Sequence, residues 1–470
     1  MNKLLSFFTT ISVCLILTIT FTEKSIAQQT GLGSTYIDTA LFNDMEFRAV
    51  GPTRGGRVPA VSGIIGAPSS FYMGVGPAGG VWRTDNNGYS WRNLTDGKGL
   101  KSNSIGALAV ATSDTSTIYV GTGTVNLRDN SLTGRGVYKS TDSGKTWEFL
   151  GLEETGAIGE IKIHPHDANR VYVAALGHPY GPNSERGVFR TKNGGESWEK
   201  VLFASDSTGA VDLELNPENP DIIYAALWRG ERKPWEIISG AATENGLYKS
   251  TDGGDTWKEL TKGIPAGLKG RAGLAVSPAN PDRVYALLEA PGDKQGLYRS
   301  EDSGENWTQV SDTAGIMARP FYFTRITADP NDADVVYAMS VRDWKSVDGG
   351  LTFERRQVTH ADIHNLWINP DNSDIQIQGN DGGAAITLDG GQTWSNQNNQ
   401  ATAELWQVQV DDQFPYRLYG GQQDNTTISV PSLPLHGGVT GPQDYWRETG
   451  GCETGPVVPM PGNPDIIFAS

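Results

Sequence analysis

An eight-residue polar segment that ends in an aromatic residue recurs seven times along the chain. It places Ser or Thr first, Asp or Asn two positions later, Gly two positions after that, and Trp or Phe last. Successive aromatic residues are 41 to 59 residues apart, which fits one propeller blade and is too long for most helical repeats. The seven copies of this segment (the box) are TDNNGYSW (Thr84–Trp91), STDSGKTW (Ser140–Trp147), TKNGGESW (Thr191–Trp198), STDGGDTW (Ser250–Trp257), SEDSGENW (Ser300–Trp307), SVDGGLTF (Ser346–Phe353) and TLDGGQTW (Thr387–Trp394).

The stretches between boxes share one internal pattern. An alternating apolar run such as VDLELNP is followed by a Pro/Asn/Asp turn, and then by a second run rich in aromatic and β-branched residues, such as DIIYAAL. A variable loop, a third short run such as GLYKS, the box and a fourth run complete each unit. Four short strands joined by turn residues, with no helical periodicity, predict an all-β chain of four-stranded antiparallel propeller blades.

The acidic position of the box predicts a turn, not an active site. Its side chain can accept backbone N–H groups at a tight reversal, and the following Gly permits a positive φ. Two copies carry Asn instead of Asp, a change that a general acid, a nucleophile or a metal ligand would not tolerate. We therefore assign a structural role to Asn86, Asp142, Asn193, Asp252, Asp302, Asp348 and Asp389. If the box joins strands three and four, function is expected on the opposite face, where the variable loops lie.

The sequence divides into four consecutive segments. Residues 1–27 read as a signal peptide with cleavage near Ala27, and residues 28–46 as a lead-in. Residues 47–400 contain the seven boxed blades, with Phe47–Val50 as a spare strand that could complete the last blade. Residues 401–470 resemble an eighth, drifted blade and the start of a ninth, so we expect the protein to continue beyond them. The ring could hold seven blades followed by a second propeller, or it could be larger.

Charge and cysteine content limit the function classes. The formal charge is -16, and loss of two lysines and one glutamate with the leader makes it -17. An acidic chain is a poor nucleic-acid binder, because phosphate binding needs a clustered positive surface. After cleavage Cys452 is the single cysteine, which excludes an internal disulfide. We expect a secreted or periplasmic monomer with no membrane span, no cofactor and no metal.

The densest polar set on the predicted loop face suggests a ligand site. His360, Asp362 and His364 alternate, and on a strand they would share one face and could in principle hold a metal, although capping of strand ends explains them as well. The NDGG and QDN motifs are also typical of Asx-turns. The candidate ligand-binding residues are His360, Asp362, His364, Asn380, Asp381, Gln423, Asp424, Asn425 and Glu453.

Three functions remain open at this stage. The first is a module that binds a glycan or a peptide through its loop face, using aromatic residues such as Tyr180, Trp228, Trp235, Phe321 and Tyr322. The second is a glycoside hydrolase, which needs two carboxylates beside the scissile bond; candidates are Glu160, Glu231, Asp362, Asp381, Asp424, Glu448 and Glu453. The third is sialidase chemistry through Arg54 or Arg57 in GRVPAV, which lacks a matching nucleophile and is disfavoured.

The boxes resemble bacterial neuraminidase repeats (Asp-boxes), which occur in sialidases, in tandem-propeller xyloglucan-degrading enzymes and in the ten-bladed receptor domain of sortilin. Beyond the boxes, GPTRGGRVPAV, YMGVGPAGGVWRT and QFPYRLYGGQQDN resemble exported bacterial proteins labelled "glycosyl hydrolase" or sortilin N-terminal-like. The resemblance covers nearly everything after residue 45. It implies a propeller and an extracellular ligand, and it transfers no catalytic residue. The sequence departs from the pattern at the two Asn boxes and at Cys452.

Overall fold

The computed structural model describes residues 42–45, 49–240, 242–267, 269–433 and 445–470. It divides into a unit Met1–Ala49 and a compact unit Val50–Ser470, and the architecture below is that of the second unit. The predicted signal peptide, most of the lead-in, and Phe47 and Arg48 of the proposed spare strand lie outside the described residues.

The first four blades follow the predicted order of strands. Blade 1 contains β1 (Ala60–Ile64), β2 (Ala67–Val75), β3 (Gly80–Thr84) and β4 (Arg92–Asn93), and blade 2 contains β5 (Ile105–Val110), β6 (Ile118–Thr122), β7 (Val137–Ser140) and β8 (Glu148–Phe149). Blade 3 contains β9 (Ile158–His164), β10 (Asp167–Ala175), β11 (Gly187–Thr191) and β12 (Glu199–Leu202). Blade 4 contains β13 (Gly209–Leu215), β14 (Ile223–Trp228), β17 (Gly246–Ser250) and β18 (Lys258–Leu260), with an inserted hairpin of β15 (Gly230–Arg232) and β16 (Ile237–Ser239).

Three further blades and two additional sheets follow. Blade 5 contains β19 (Ala272–Val276), β20 (Val284–Leu288), β21 (Gly296–Ser300) and β22 (Thr308–Ser311), and blade 6 contains β23 (Arg325–Ala328), β24 (Val336–Met339), β25 (Asp343–Ser346) and β26 (Glu354–Arg355). Blade 7 contains β27 (Ile363–Ile368), β28 (Gln376–Asn380) and β29 (Gly383–Thr387). The eighth sheet contains β30 (Gln409–Val410), β31 (Arg417–Gly421), β32 (Thr427–Pro431) and β33 (Arg447–Glu448), and a last hairpin pairs β34 (Val457–Met460) with β35 (Asn463–Ala469).

All sheets are antiparallel, and short 3-10 turns occur at Glu153–Thr155, Gly292–Lys294 and Ala314–Met317. The described residues contain no α-helix, and therefore no helix among them is long and apolar enough to cross a membrane. These observations confirm the predicted all-β propeller with a drifted eighth blade and the start of a ninth.

Seven apolar cores, one between each pair of neighbouring blades, close the ring. The core between blades 7 and 1 joins Val61 and Phe71 to Ile377 and Ala384, all buried. The backbone N–H of Val58 also donates to the carbonyl of Asn380 at 3.0 Å. Because blade 7 packs on blade 1 and the other six cores join consecutive blades, the ring contains seven blades. This contact resolves the ring size that the sequence left open.

The middle strands are buried on both faces, which explains their continuous apolar runs. A buried tyrosine in the second strand of each of blades 1–6 fills the space between blades. Its hydroxyl reaches the neighbouring blade in several copies: Tyr172 donates to Gly253 at 2.9 Å and Tyr224 donates to Ser303 at 2.8 Å, both in the next box. The tyrosines therefore couple each blade to the turn of the next.

Blade 7 differs from the prediction because it has three strands instead of four. The segment after its box is polar, and Gln400 takes over part of the role of a strand. The fully buried carboxamide of Gln400 accepts from the N–H of Ala384 at 2.9 Å and donates to its carbonyl at 2.7 Å. One side chain thus satisfies both backbone groups that a fourth strand would otherwise pair.

In blades 1–6 the boxes lie between strands three and four, as predicted, and the seventh box follows the third and last strand of blade 7. The boxes form closed hydrogen-bond rings. In the second box the carboxylate of Asp142 accepts from the backbone N–H of Thr146 at 2.9 Å and from its hydroxyl at 2.7 Å. In the first box Asn86 also accepts from a backbone N–H, that of Ser90, but its amide donates to the Ser90 hydroxyl at 2.9 Å. Both Asn boxes have Ser at this position, and the five Asp boxes have Thr or Asn. The amide of Asn306 donates to the carboxylate of Asp302, and a Ser or Thr hydroxyl can either accept from Asn or donate to Asp.

Candidate functional site

Three carboxylates meet on the face opposite the boxes. One oxygen each of Asp362, Asp381 and Asp424 lies within 4.8 Å of the others. Asp362 precedes β27, Asp381 lies in the tight turn between β28 and β29, and Asp424 lies in the turn between β31 and β32. The ring supplies two of these residues and the segment after it supplies the third, so the segment after residue 400 completes the site.

Arg57 is the counterion of this acidic cluster. It is buried, its Nε lies 2.8 Å from Asp381 Oδ1, and its Nη2 donates to Asp381 Oδ2 at 2.9 Å. The same guanidinium pairs with Asp424 and donates to Glu404 at 3.2 Å. Burying these charges is tolerated because the guanidinium contacts all three carboxylates and Glu404 has a second cationic partner in Arg128.

The two glycines before Arg57 place it there. A Cβ at Gly55 would lie 2.0 Å from the carbonyl oxygen of Gly382, and a Cβ at Gly56 would lie 2.3 Å from that of Thr402. The Gly-Gly pair therefore threads between the Asp381 turn and the segment that follows the ring. Since Arg57 is fully engaged by protein carboxylates, it does not serve as a free substrate-binding arginine, and the sialidase reading finds no support here.

A buried hydrogen-bond chain that starts at Arg271 orients Asp381. Arg271 can only donate, and it does so to Asn126 Oδ1 at 3.2 Å. The Asn126 amide then donates to His364 Nδ1 at 2.9 Å, so His364 carries its proton on Nε2, which donates to Asp381. This order fixes the histidine tautomer from the arginine upward. His364 is also stacked on Phe323 with ring centroids 5.7 Å apart.

The environment separates the pKa values of two neighbouring aspartates. Burial alone would raise the pKa of Asp381, but the charge of Arg57 and the hydrogen bond from His364 outweigh it and hold that pKa well below its usual range. Burial and the charge of Asp381 raise the pKa of Asp424 to about 7, against the opposing effect of Arg57. Burial also raises the pKa of Glu404. Carboxyl groups with such divergent pKa values are typical of acid–base sites.

Above this cluster lies an open pocket of about 540 Å³. Asp362 and Asp424 face it with side chains 15% and 17% exposed, whereas that of Asp381 is only 1% exposed. Arg319 pairs with both oxygens of Asp362 at 3.1 Å. Trp406 is fixed by donating from Nε1 to Gln423 Oε1 at 2.6 Å. The pocket thus combines accessible carboxylates with an oriented aromatic ring.

Three residues that line the pocket have a strained backbone. Of the eight non-glycine residues with positive φ in the described part of the chain, these are Arg319, Asp362 and Asp424, with φ of 46°, 61° and 60°. Three of the other five (Asn87, Ser143 and Ser303) belong to box turns. Residues in this region cost of the order of 1 kcal/mol each and are enriched at functional sites.

The other candidates from the sequence make hydrogen bonds that hold the turns of Asp424 and Asp381 in place. His360 Nε2 lies 2.9 Å from the carbonyl of Asp424, and Glu453 accepts the backbone N–H of Asp424 at 2.6 Å. Gln423 donates to Asp424 Oδ1 at 2.9 Å, and Asn425 donates to the Gln423 carbonyl at 3.2 Å. Asn380 is buried and accepts the N–H of Gly382 at 2.9 Å within its own turn.

His360, Asp362 and His364 do not share one strand face, because β27 begins only at Ile363 and Asp362 has a positive φ. His364 points into the core, His360 to the Asp424 loop and Asp362 to the pocket. The carboxylates Glu160, Glu231 and Glu448 lie apart from the cluster: Glu160 pairs with Arg325, Glu231 with Lys233, and Glu448 is exposed in β33.

Sequence reasoning missed several members of the site. Glu404 lies in a polar run without a motif, and Asn126 and Arg271 come from blades 2 and 5, far from the cluster in sequence. Arg57 was noted only for a different chemistry. The available signal was the Gly-Gly pair before Arg57, which marks a close backbone approach.

Comparison with known proteins gives three kinds of similarity. The family model described as "Sortilin, neurotensin receptor 3" matches residues 135–268. A xyloglucanase of Paenibacillus sp. is 24% identical over 306 residues, which cover 59% of this chain and 29% of the relative. The xyloglucanase Xgh74A of Acetivibrio thermocellus is 26% identical over 310 residues, covering 59% of this chain and 35% of the relative. The aligned part of the chain thus spans about a third of these relatives.

Among solved structures, the GH74 xyloglucanase from Xanthomonas campestris superposes with a TM-score of 0.58 at 18% identity, over 81% of this chain and 60% of that one. At this identity the similarity shows the fold. The comparisons confirm the resemblance, expected from the sequence, to propellers labelled as sortilin-like and as glycosyl hydrolases.

Proposed function

We propose that this chain supplies the catalytic pocket of a glycoside hydrolase that acts on an extracellular polysaccharide. The observation that carries the proposal is the pair of accessible carboxylates, Asp362 and Asp424, in one open pocket. Their oxygens lie within 4.8 Å of each other, and Asp424 has its pKa raised to about 7. The sequence alone favoured a binding module, and the similarity to xyloglucanases favours the hydrolase instead.

The two carboxyl groups divide the chemistry. Asp424 is half protonated near neutral pH and donates its proton to the glycosidic oxygen as the bond to the anomeric carbon breaks. Asp362, ion-paired with Arg319, is the carboxylate that assists attack on the anomeric carbon by taking a proton from water or by bonding to that carbon itself. In the first case the water oxygen becomes the hydroxyl on the anomeric carbon, and the proton that Asp362 has taken passes through solvent back to Asp424. In the second case Asp424, now a carboxylate, takes a proton from the water that breaks the bond between Asp362 and the anomeric carbon, which restores both groups.

Asp381 is a positioning residue in this scheme. Its oxygens are engaged by Arg57 and His364, and its side chain is too buried to reach a substrate. Its negative charge nevertheless helps to raise the pKa of Asp424. The chain Arg271–Asn126–His364 therefore acts on the proposed acid through Asp381.

Purified protein tests this proposal on a panel of polysaccharides, with release of reducing ends as the readout. We expect Asp424→Asn and Asp362→Asn to lower kcat about 10²–10⁴-fold with binding retained. The control is Asp389→Asn. Asp389 belongs to the box of blade 7, the blade of Asp362, but lies on the opposite face, so the activity of this variant should remain near that of the wild type. Activity should fall as the pH rises through about 7, since the acid then loses its proton.

The match of residues 135–268 to the sortilin model favours a binding module as the second candidate. Measurable binding of a glycan or a peptide with no product from any polysaccharide would overturn the hydrolase and favour the binder. We further propose that the chain acts as a monomer outside the cytoplasm, where such polysaccharides occur. Fractionation of the producing cells and sedimentation of the purified protein test these two points.

A further inference from the structure

The hairpin inserted in blade 4 carries a charged residue to the pocket. It pairs Arg232 with Ile237 and Gly230 with Ser239, and no other blade among the described residues has a paired hairpin at this position. Its base is held by Trp228, whose Nε1 donates to Ser239 Oγ at 3.0 Å. The backbone N–H of Arg232 donates to Pro179 at 2.7 Å, which fixes the hairpin against the neighbouring blade.

Four arginines line the pocket, and three of them have carboxylate partners. Arg57 pairs with Asp381, Asp424 and Glu404, Arg128 with Glu404 at 3.1 Å, and Arg319 with Asp362. Arg232 is the exception: across the described ranges no carboxylate lies within ion-pair distance of its guanidinium, and its Nε is buried without a hydrogen-bond partner. A half-buried guanidinium without an anion is costly unless a ligand supplies one.

The charges next to Arg232 do not neutralise it. Its neighbours on the hairpin, Glu231 and Lys233, pair with each other. Asp129 also lines the pocket, but it is exposed and outside ion-pair distance of Arg232. Arg232 therefore leaves one uncompensated positive charge at the wall of a pocket that also offers the rings of Phe321 and Trp406.

We propose that Arg232 binds an anionic substituent of the polysaccharide, so that the substrate is an acidic glycan bearing carboxylate or sulfate groups and not a neutral one. This inference rests on the proposed function, since it names the substrate class of the same pocket. A guanidinium presents two parallel N–H donors that match a carboxylate or a sulfate, while the aromatic rings pack on the apolar sugar faces.

The test compares a charged polymer with the neutral form of the same backbone, and adds a sulfated and a neutral polymer of other backbones. Calorimetry measures binding of polygalacturonan, of its carboxyl-reduced neutral form, of a sulfated galactan and of xyloglucan to the full chain. The variants are Arg232→Gln and Lys233→Gln, a control that removes a positive charge from the same hairpin. We expect Arg232→Gln to weaken binding of the acidic polymer about 10–100-fold, the usual effect of losing a charged hydrogen bond. Lys233→Gln should leave the affinity for this polymer unchanged.

The outcomes separate this inference from the proposed function. Preference for polygalacturonan assigns a carboxylate, and preference for the galactan assigns a sulfate; both support the inference. Equal binding of the acidic and the reduced polymer, or equal effects of the two variants, overturns it. Turnover of xyloglucan that is insensitive to Arg232→Gln overturns it while retaining the hydrolase. Binding of acidic polymers through Arg232 without turnover supports it while the hydrolase fails, and binding of peptide carboxylates alone overturns both.

Discussion

The buried guanidinium of Arg57 gives the sharpest test of how the site is held together. Arg57→Met keeps an unbranched, flexible side chain and leaves Asp381 without its counterion in the core. Removing one partner of a buried ion pair costs about 3–5 kcal/mol. With an unfolding entropy of about 2.1 cal/mol/K per residue, roughly 420 residues give about 0.9 kcal/mol/K, so the Tm should fall by about 3–6 °C. The matched control Arg92→Met removes an exposed pair with Asp85 and should lower the Tm by about 1 °C or less.

The loss should depend on pH with a defined sign. The pKa of Asp381 is lowered in the fold, so its stabilising contribution is present above its unfolded pKa and is lost as the pH falls through the folded one. Asp424 has a raised pKa of about 7 and is protonated in the fold at pH 5, where it no longer needs Arg57. Scanning calorimetry should therefore show a larger loss at pH 7.5 than at pH 5. A Tm equal to that of the control would refute the assignment of Arg57 as the counterion of Asp381. The same loss at both pH values would refute the raised pKa of Asp424.

Two further predictions concern the packing of the ring. A Cβ at Gly63 would lie 2.2 Å from the ring of Trp367. Gly63→Ala should therefore destabilise the closure between blades 1 and 7 by about 1–3 kcal/mol in urea denaturation. The control Gly181→Ala, whose Cβ meets no atom within 4 Å, should leave the stability unchanged, and equal midpoints for the two variants would contradict the closure. In the second box, Asp142→Asn should lower the urea midpoint little, because Asn serves in two other boxes, whereas Asp142→Ala removes the acceptor of the Thr146 N–H and hydroxyl and should lower it more. A larger loss for Asn than for Ala would argue against a purely structural box.

The sequence predicts the blades because the features that define each blade lie close together in the sequence. The box, the tyrosine run and the Pro/Asn turns all lie within one interval of 41 to 59 residues, so their order is legible without tertiary information. Ring size is not local: it depends on contacts such as that of Val58 with Asn380, which are separated by almost the whole ring. The missing fourth strand of blade 7 was not predictable either, since it is replaced by the carboxamide of Gln400, whose polar neighbours give no sign of burial.

The site was partly predictable for the same reason. Asp381 and Asp424 stand in equivalent turns between second and third strands, Asp362 stands in the loop before blade 7, and the structure brings one oxygen of each within 4.8 Å of the others. Their role in binding or catalysis stays a prediction. Arg57, Glu404 and Arg271 were not selected as partners, because the pairs they form depend on how distant segments pack and not on any local motif.

The boxes, which have no chemistry of their own, protect the blade turns against mild acid. Hydrogen bonds from the box residues lower the pKa of Asp142, Asp252, Asp302, Asp348 and Asp389 to about 2. Because these pKa values are lowered in the fold, the stabilising contribution of each box is present above the unfolded pKa of its aspartate and is lost only as the pH falls through the folded one. The pKa of Asp424 in the pocket is raised to about 7 instead. A mildly acidic medium therefore changes the charge of the pocket while the turns that hold the blades keep theirs.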